Sequence, residues 1–177
     1  MERQNQWIPY EHYTSIRRRL DPRMAALCDL LRTTGYRVDD VLHSTVGQWR
    51  DKQSVTLVEF KTAKKRTVVL SDQAQAAVRR LIAYRSTVQD DDPLCPARRP
   101  VPGGRPWLHR STVYRQFVHA AYLAGFAGRG YTVHSLRKMY ARDRYNATQS
   151  LLAVQRDLGH KNLSTTMWYV CGSDVQL

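Results

Sequence analysis

Apolar positions along this chain keep a helical rhythm for most of its length. Met24, Leu27, Cys28 and Leu31 stand at i, i+3, i+4 and i+7, the spacing that buries one face of a helix beginning at about Pro22. Gly35 ends it. Upstream, "PYEHYTSIRRRL" from Pro9 to Leu20 predicts a polar, basic helix with a proline suited to its first turn. "YRVDDVL" starts a short helical stretch, and then the rhythm changes. In "QSVTLVEFKTAKKRTVVLS" two β-branched runs, Val55 to Phe60 and Thr67 to Leu70, flank a basic turn and predict a hairpin. Asp72 and Gln75 make a capping box for a third helix, whose apolar face is Ala74, Ala77, Val78, Leu81 and Ile82.

The stretch "DDDPLCPARRPVPGGRPW" holds five of the seven prolines and a Gly103-Gly104 pair, so residues 87–107 are expected to form an irregular connection. Neither flank carries enough apolar residues for a core of its own, which favours a single domain over 1–177. Helices are expected again from Ser111 to Ala124 with Gly125 as stop, from His134 or Ser135 to about Tyr145, and from Thr148 to Leu158 with Gly159 as stop. The fold class is therefore mainly α with a small antiparallel β-hairpin.

Charge narrows the function. Lys and Arg number 28 against 15 Asp and Glu, a formal net charge of +13, and such an excess seeks a polyanion. Nucleic acid comes first. No apolar run is long enough to span a bilayer, no basic amphipathic segment suits its surface, and "MERQNQWIPY" holds no secretory signal. Cys28, Cys95 and Cys171 share no close spacing, so they read as reduced thiols of a cytoplasmic protein, with neither a zinc site nor a disulfide framework.

The candidate chemistry lies near the C-terminus. "HSLR" sets His134 and Arg137 three residues apart at a helix start, where they share a face and free N–H groups favour an anion. In "LGHKNLSTTMWYV", His160 follows a helix-stopping glycine, and a polar bridge leads to Tyr169. "HSLRKMYA" followed by "LGHKNLSTTMWY" resembles the paired C-terminal motifs of the tyrosine recombinase, or phage integrase, family. "TTGYRVDDVL", with Arg37 and Asp40, resembles that family's Thr-Gly-x-Arg segment, and "EFKTAKKRTVVL" its basic hairpin, with Lys61 at the active-site lysine. The resemblance runs from about Pro9 to Tyr169 in the family's order. Departures are Thr62 where the turn often has Gly, and Trp168 where an aliphatic residue is common.

The resemblance implies the tyrosine recombinase catalytic-domain fold, without an N-terminal DNA-clamping domain, as in the fimbrial inversion recombinases. It implies a site-specific recombinase that cleaves and rejoins DNA strands through a covalent 3′-phosphotyrosine, with no metal or cofactor. Tyr169 would be the nucleophile, Arg37 and Arg137 the phosphate clamp, and Lys61 the general acid, with Lys64 and Lys65 as competitors. His134 would assist proton transfer and His160 would bond the phosphate. Asp40 would buttress the site, and Trp168 would be core or docking surface. Implied partners are double-stranded DNA with specific recombination sites, three further copies in a tetramer on that DNA, and an accessory DNA-bending protein. With only "VCGSDVQL" after Tyr169, the free protein is expected to be a monomer. A type IB topoisomerase and an inactive DNA-binding regulator of the same fold are the alternatives.

Overall fold

A computed structural model describes residues 7–98 and 103–171. The tail after Tyr169 and the centre of the Pro/Gly-rich connection lie largely outside them. Among the described residues the regular structure is eight α-helices, a 3-10 turn at Val46–Gln48 and one two-stranded sheet: α1 Tyr10–Arg17, α2 Pro22–Thr34, α3 Val38–Leu42, β1 Ser54–Val58, β2 Lys65–Val69, α4 Asp72–Ile82, α5 Arg110–Leu123, α6 Val133–Thr148, α7 Leu151–Leu158 and α8 Leu163–Cys171. The expected fold class is the observed one.

Helix α2 is the hub, packed against α4 and α6. Its periodic residues Met24, Leu27, Cys28 and Leu31 are all buried, as are Ala74, Ala77, Val78 and Leu81 of α4. A second, smaller apolar cluster joins α6, α7 and α8 through Ala141, Val154, Leu158 and Val170, with Tyr169 packed at its edge. Cys28 and Cys95 are free and buried. The Cys171 side chain lies outside the described set. Among the described residues no helix is long and apolar enough to cross a membrane.

The boundaries differ from expectation where side chains intervene. Helix α4 is capped by Ser71, which accepts from the Ala74 amide; Gln75 turns instead toward Gln53 and the Leu70 carbonyl, so the Asp72–Gln75 box does not form. The strands pair antiparallel from Ser54↔Val69 to Val58↔Lys65. They stop short of Phe60 because the Glu59 amide donates to the Lys64 carbonyl and the Glu59 carbonyl accepts from Ala63, closing the turn early. The left-handed position of that turn is Ala63, at φ 55°, and not Thr62. Helix α6 starts at Val133 behind a Thr132–Ser135 capping box, and α7 starts at Leu151 behind Ser150. Residues Leu94 and Cys95 of the long connection are buried in the main core, and bridges Thr45↔Pro93 and Pro96↔Trp107 hold it down. Of the basic run at Arg17 to Arg19, Arg17 is committed to Asp29 at 2.8 Å.

Candidate active site

The site is built where two helices end. Helix α2 stops at Gly35 with φ +62°, and a Cβ there would lie 2.4 Å from the Tyr140 ring, so glycine is required by both conformation and space. Helix α7 stops at Gly159, φ +66°. The carbonyls left over at both ends point to the same place, and two arginines fill the gap. Arg137 from α6 donates to the Gly35 carbonyl and, at 2.5 Å, to the Leu158 carbonyl. Arg66 from β2 donates to the Thr34 carbonyl at 2.7 Å and to the Asp157 carbonyl. Cations belong at helix C-termini, where the backbone dipoles leave partial negative charge. Each guanidinium serves one carbonyl from each helix.

Arg37 follows two residues after Gly35 and completes a cationic cluster. Burial pushes Arg137 down to about 10, and its like-charged neighbours Arg66 and Arg37 add to the shift; it remains charged at neutral pH. Three guanidinium groups this close repel one another, and an anion between them would relieve that repulsion. One carboxylate already stands there. Glu59, 2% exposed, meets Arg37 at 2.5 Å as an ion pair and accepts the Thr62 hydroxyl at 2.6 Å. Burial pushes the Glu59 carboxyl up, but the Thr62 hydrogen bond and Arg37 outweigh it and hold the group below its ordinary value. Asp40 is buried too, and its carboxylate accepts the Phe60 amide at 2.9 Å, fixing the hairpin turn from below.

A cavity of about 300 Å³ opens above this cluster, lined by Arg37, Lys61, Arg110, His134 and Arg137 among others. Lys64 and Lys65 are exposed and do not line it. His134 stands at its rim, and its Nε2 hydrogen-bonds the Tyr169 hydroxyl. The His160 ring lies edge-on to Tyr169 at 4.8 Å, with its Nδ1 on the Thr166 hydroxyl at 3.0 Å. All six residues singled out by spacing and resemblance thus come together: Arg37, Lys61, His134, Arg137, His160 and Tyr169. Trp168 does not join them or the core and is 45% exposed.

The electrostatics sort these groups by role. Burial, then Arg137, Lys138 and Arg37, push His134 down to about 4. Burial, Arg137, Arg37 and His134 do the same to His160, also to about 4. Both imidazoles are therefore neutral at pH 7. Burial raises the Tyr169 phenol, while Arg137 and Arg37 pull it back. A protonated phenol against a neutral imidazole nitrogen, with cations around the oxygen, can lose its proton to the ring as a bond forms elsewhere. Sequence reasoning missed Glu59 and Arg66. Their signal was strand phase: 55 and 57 on β1 with 59 just past its end, and 66 and 68 on β2 with 70 just past its end, are all buried in alternation.

Comparison with known proteins agrees with this geometry. The sequence profile of the phage integrase family matches residues 10–174. The chain belongs to that family. Among curated phage integrase relatives, the tyrosine recombinase XerD of Haemophilus ducreyi is 31% identical over 157 residues, covering 85% of this chain and 51% of the relative. The XerD of Rhizobium meliloti is 32% identical over 147 residues, covering 83% and 46%. The chain spans about half the length of these curated relatives. Among solved structures, the XerA recombinase matches at a TM-score of 0.80 and 22% identity, over 97% of this chain and 60% of that one. A lambda integrase tetramer bound to a Holliday junction matches at 0.75 and 20%, over 98% and 50%. The fold is thus that of the tyrosine recombinase catalytic domain.

Proposed function

We propose that this chain is the catalytic domain of a site-specific DNA recombinase that cuts and rejoins strands through Tyr169. The Tyr169 oxygen attacks the scissile phosphorus while its proton passes to His134 Nε2. The bond from phosphorus to the 5′ oxygen breaks, and that oxygen takes a proton from Lys61, leaving a 3′-phosphotyrosine and a free 5′-hydroxyl. Attack by a 5′-hydroxyl from another strand reverses the step. Arg37 and Arg137 hold the non-bridging oxygens as charge accumulates in the transition state, with His160 as a further hydrogen-bond donor. None of these steps is assigned to a metal. The observation that carries this reading is the Tyr169 hydroxyl on His134 Nε2, at the rim of a cavity with two charged guanidinium groups.

The single domain over 1–177 is read as the catalytic unit, working in the cytoplasm. Its partners are double-stranded DNA with paired recombination sites and three further copies of the chain, with an accessory DNA-bending protein where the site must be bent. Recombinase relatives support this: XerH has been captured on its difH substrate and lambda integrase as a tetramer on a Holliday junction.

The test is a duplex nicked beside the cleavage point, so that the released fragment diffuses away and the covalent complex accumulates on a denaturing gel. The wild-type protein is expected to form the adduct. Tyr169→Phe is expected to form none while binding DNA within a few-fold, since no phosphate-binding charge is removed. An adduct from the Phe variant would remove Tyr169 from the role. Tight binding with no wild-type adduct would favour an inactive regulator.

A further inference from the structure

Beside the active-site cavity lies a second one of about 350 Å³, and the two share Asp39, Phe60 and Arg110 in their walls. What distinguishes the second is aromatic. The Phe60 ring lies parallel to the His43 ring, with centroids at 4.4 Å and planes at 16°, and His43 meets Trp107 at 4.5 Å. Three separate segments supply these rings: the hairpin turn, the residue after α3, and the end of the long connection. Each is pinned. Asp40 holds the Phe60 amide, the Asp39 carbonyl holds His43 Nδ1 at 2.7 Å, and the Pro96↔Trp107 bridge holds Trp107. Yet Phe60 remains 67% exposed although His43 covers one face of its ring, so the other face is open. Arg105 and Arg110 line the same cavity; Arg110 is 68% exposed and meets the Asp39 carboxylate at 3.3 Å, which leaves most of its guanidinium facing solvent.

A large exposed aromatic, backed by a stacked ring and flanked by guanidinium groups, matches the way proteins hold unpaired nucleic-acid bases. The base lies on the π-face and the cations take the phosphate. A paired base inside a duplex has both faces occupied by its neighbours, so an open ring face selects for an unpaired one. From this geometry we infer that the Phe60–His43–Trp107 stack is a binding site for an unpaired nucleobase of the DNA strand that ends in the 5′-hydroxyl. The choice of strand rests on the proposed function. There Lys61 protonates the leaving 5′ oxygen, and Phe60 is the residue next to it, so the nucleotide carrying that oxygen is the one in reach. Holding its base on the stack keeps the 5′ end near the phosphotyrosine until it is exchanged.

The test needs no cleavage. The intact protein is mixed with a short duplex bearing one unpaired 5-iodouracil at a 5′-hydroxyl end, irradiated, and mapped by mass spectrometry, with a blunt duplex of the same sequence as control. Cross-links are expected on the peptides holding Phe60, His43 or Trp107. Phe60→Ala is expected to weaken binding of the overhanging duplex by about ten-fold, the scale of one lost stacking contact, and of the blunt duplex by less than about two-fold. Phe60→Tyr should restore the difference, whereas Phe60→Leu, apolar but without a π-face, should not. Cross-links elsewhere, or equal loss on both duplexes, would overturn the inference. Adduct formation by Tyr169 is read separately, so an adduct without stack cross-links removes the base site alone, and stack cross-links without an adduct remove the strand-exchange reading alone.

Discussion

At the scale of single residues, protonation is the feature that can be tested most directly. An ordinary histidine with a pKa near 6.5 would be about 90% protonated at pH 5.5 and unable to accept the phenol's proton. His134 is pushed down to about 4, so it stays neutral there. The value of kcat/KM for adduct formation is therefore expected to stay level, within about two-fold, from pH 8 down to about pH 5.5. A ten-fold fall across that range would show that His134 titrates as a free histidine, or is not the base. Stability should respond differently. Both histidines have folded values below the unfolded one, so their contribution is fully present above about pH 6.5 and is lost as pH falls toward about 4. The melting temperature should drop over a window in which activity does not. For Lys61 the check is chemical: Lys61→Ala should cripple cleavage of a normal phosphodiester but be rescued by a 5′-bridging phosphorothiolate, whose thiolate leaves without a proton. Equal defects on the two substrates would move the role to another group.

Among the elements, the central device is the pair of arginines spanning two helix ends. Because Arg66 reaches Thr34 and Asp157, it ties the hairpin that carries Lys61 to the same α2 and α7 termini that Arg137 holds. Arg66→Met should leave both carbonyls without their donor at a buried position and cost about 3 kcal/mol, read as a shift in the urea midpoint. Arg66→Lys should recover less than half of that, since an ammonium lacks the planar fork that reaches both helices. A loss below about 1 kcal/mol for Arg66→Met would mean that the two ends are held by other contacts. The helices were legible in the sequence because periodicity and glycine stops are local signals, and the candidates His134, Arg137, His160 and Tyr169 because they stand at fixed spacings, whereas Arg37 and Lys61 became candidates through resemblance to the family. Arg66 and Glu59 sit in "EFKTAKKR", whose composition is that of a solvated basic turn, and only their phase with Val55, Leu57 and Val68 marks them as inward-facing. Ser71 was missed as a cap because Asp72 beside it offered an equally good local signal. Burial of a charge depends on distant partners, here the carbonyls of Thr34 and Asp157, which no local window contains.

Across the whole molecule, charge is the property on which the proposed DNA binding and self-association turn. Each chain carries a formal +13. Bringing four such chains together concentrates like charge, and the phosphates of DNA supply the opposite sign that makes close packing favourable. Assembly beyond the monomer is therefore expected only with DNA that carries paired sites, and light scattering showing a stable tetramer of the free protein would contradict this. Affinity should also fall by at least ten-fold between about 50 and 200 mM salt, because each neutralised phosphate releases condensed counterions. The slope can be assigned to residues. Lys64 and Lys65 are exposed on the hairpin and line no part of the catalytic cavity, so their charge is available to the backbone of bound DNA. Replacing both with Gln should reduce the slope of log affinity against log salt by roughly one to two units while the rate of adduct formation at saturating DNA stays within about two-fold. Arg17→Gln provides the contrast: because Asp29 already engages it, the salt slope should be unchanged and the thermal stability lower. If the Lys64 and Lys65 double variant kept the full slope, the hairpin would not lie against phosphate, and the DNA path would have to be drawn over another basic face.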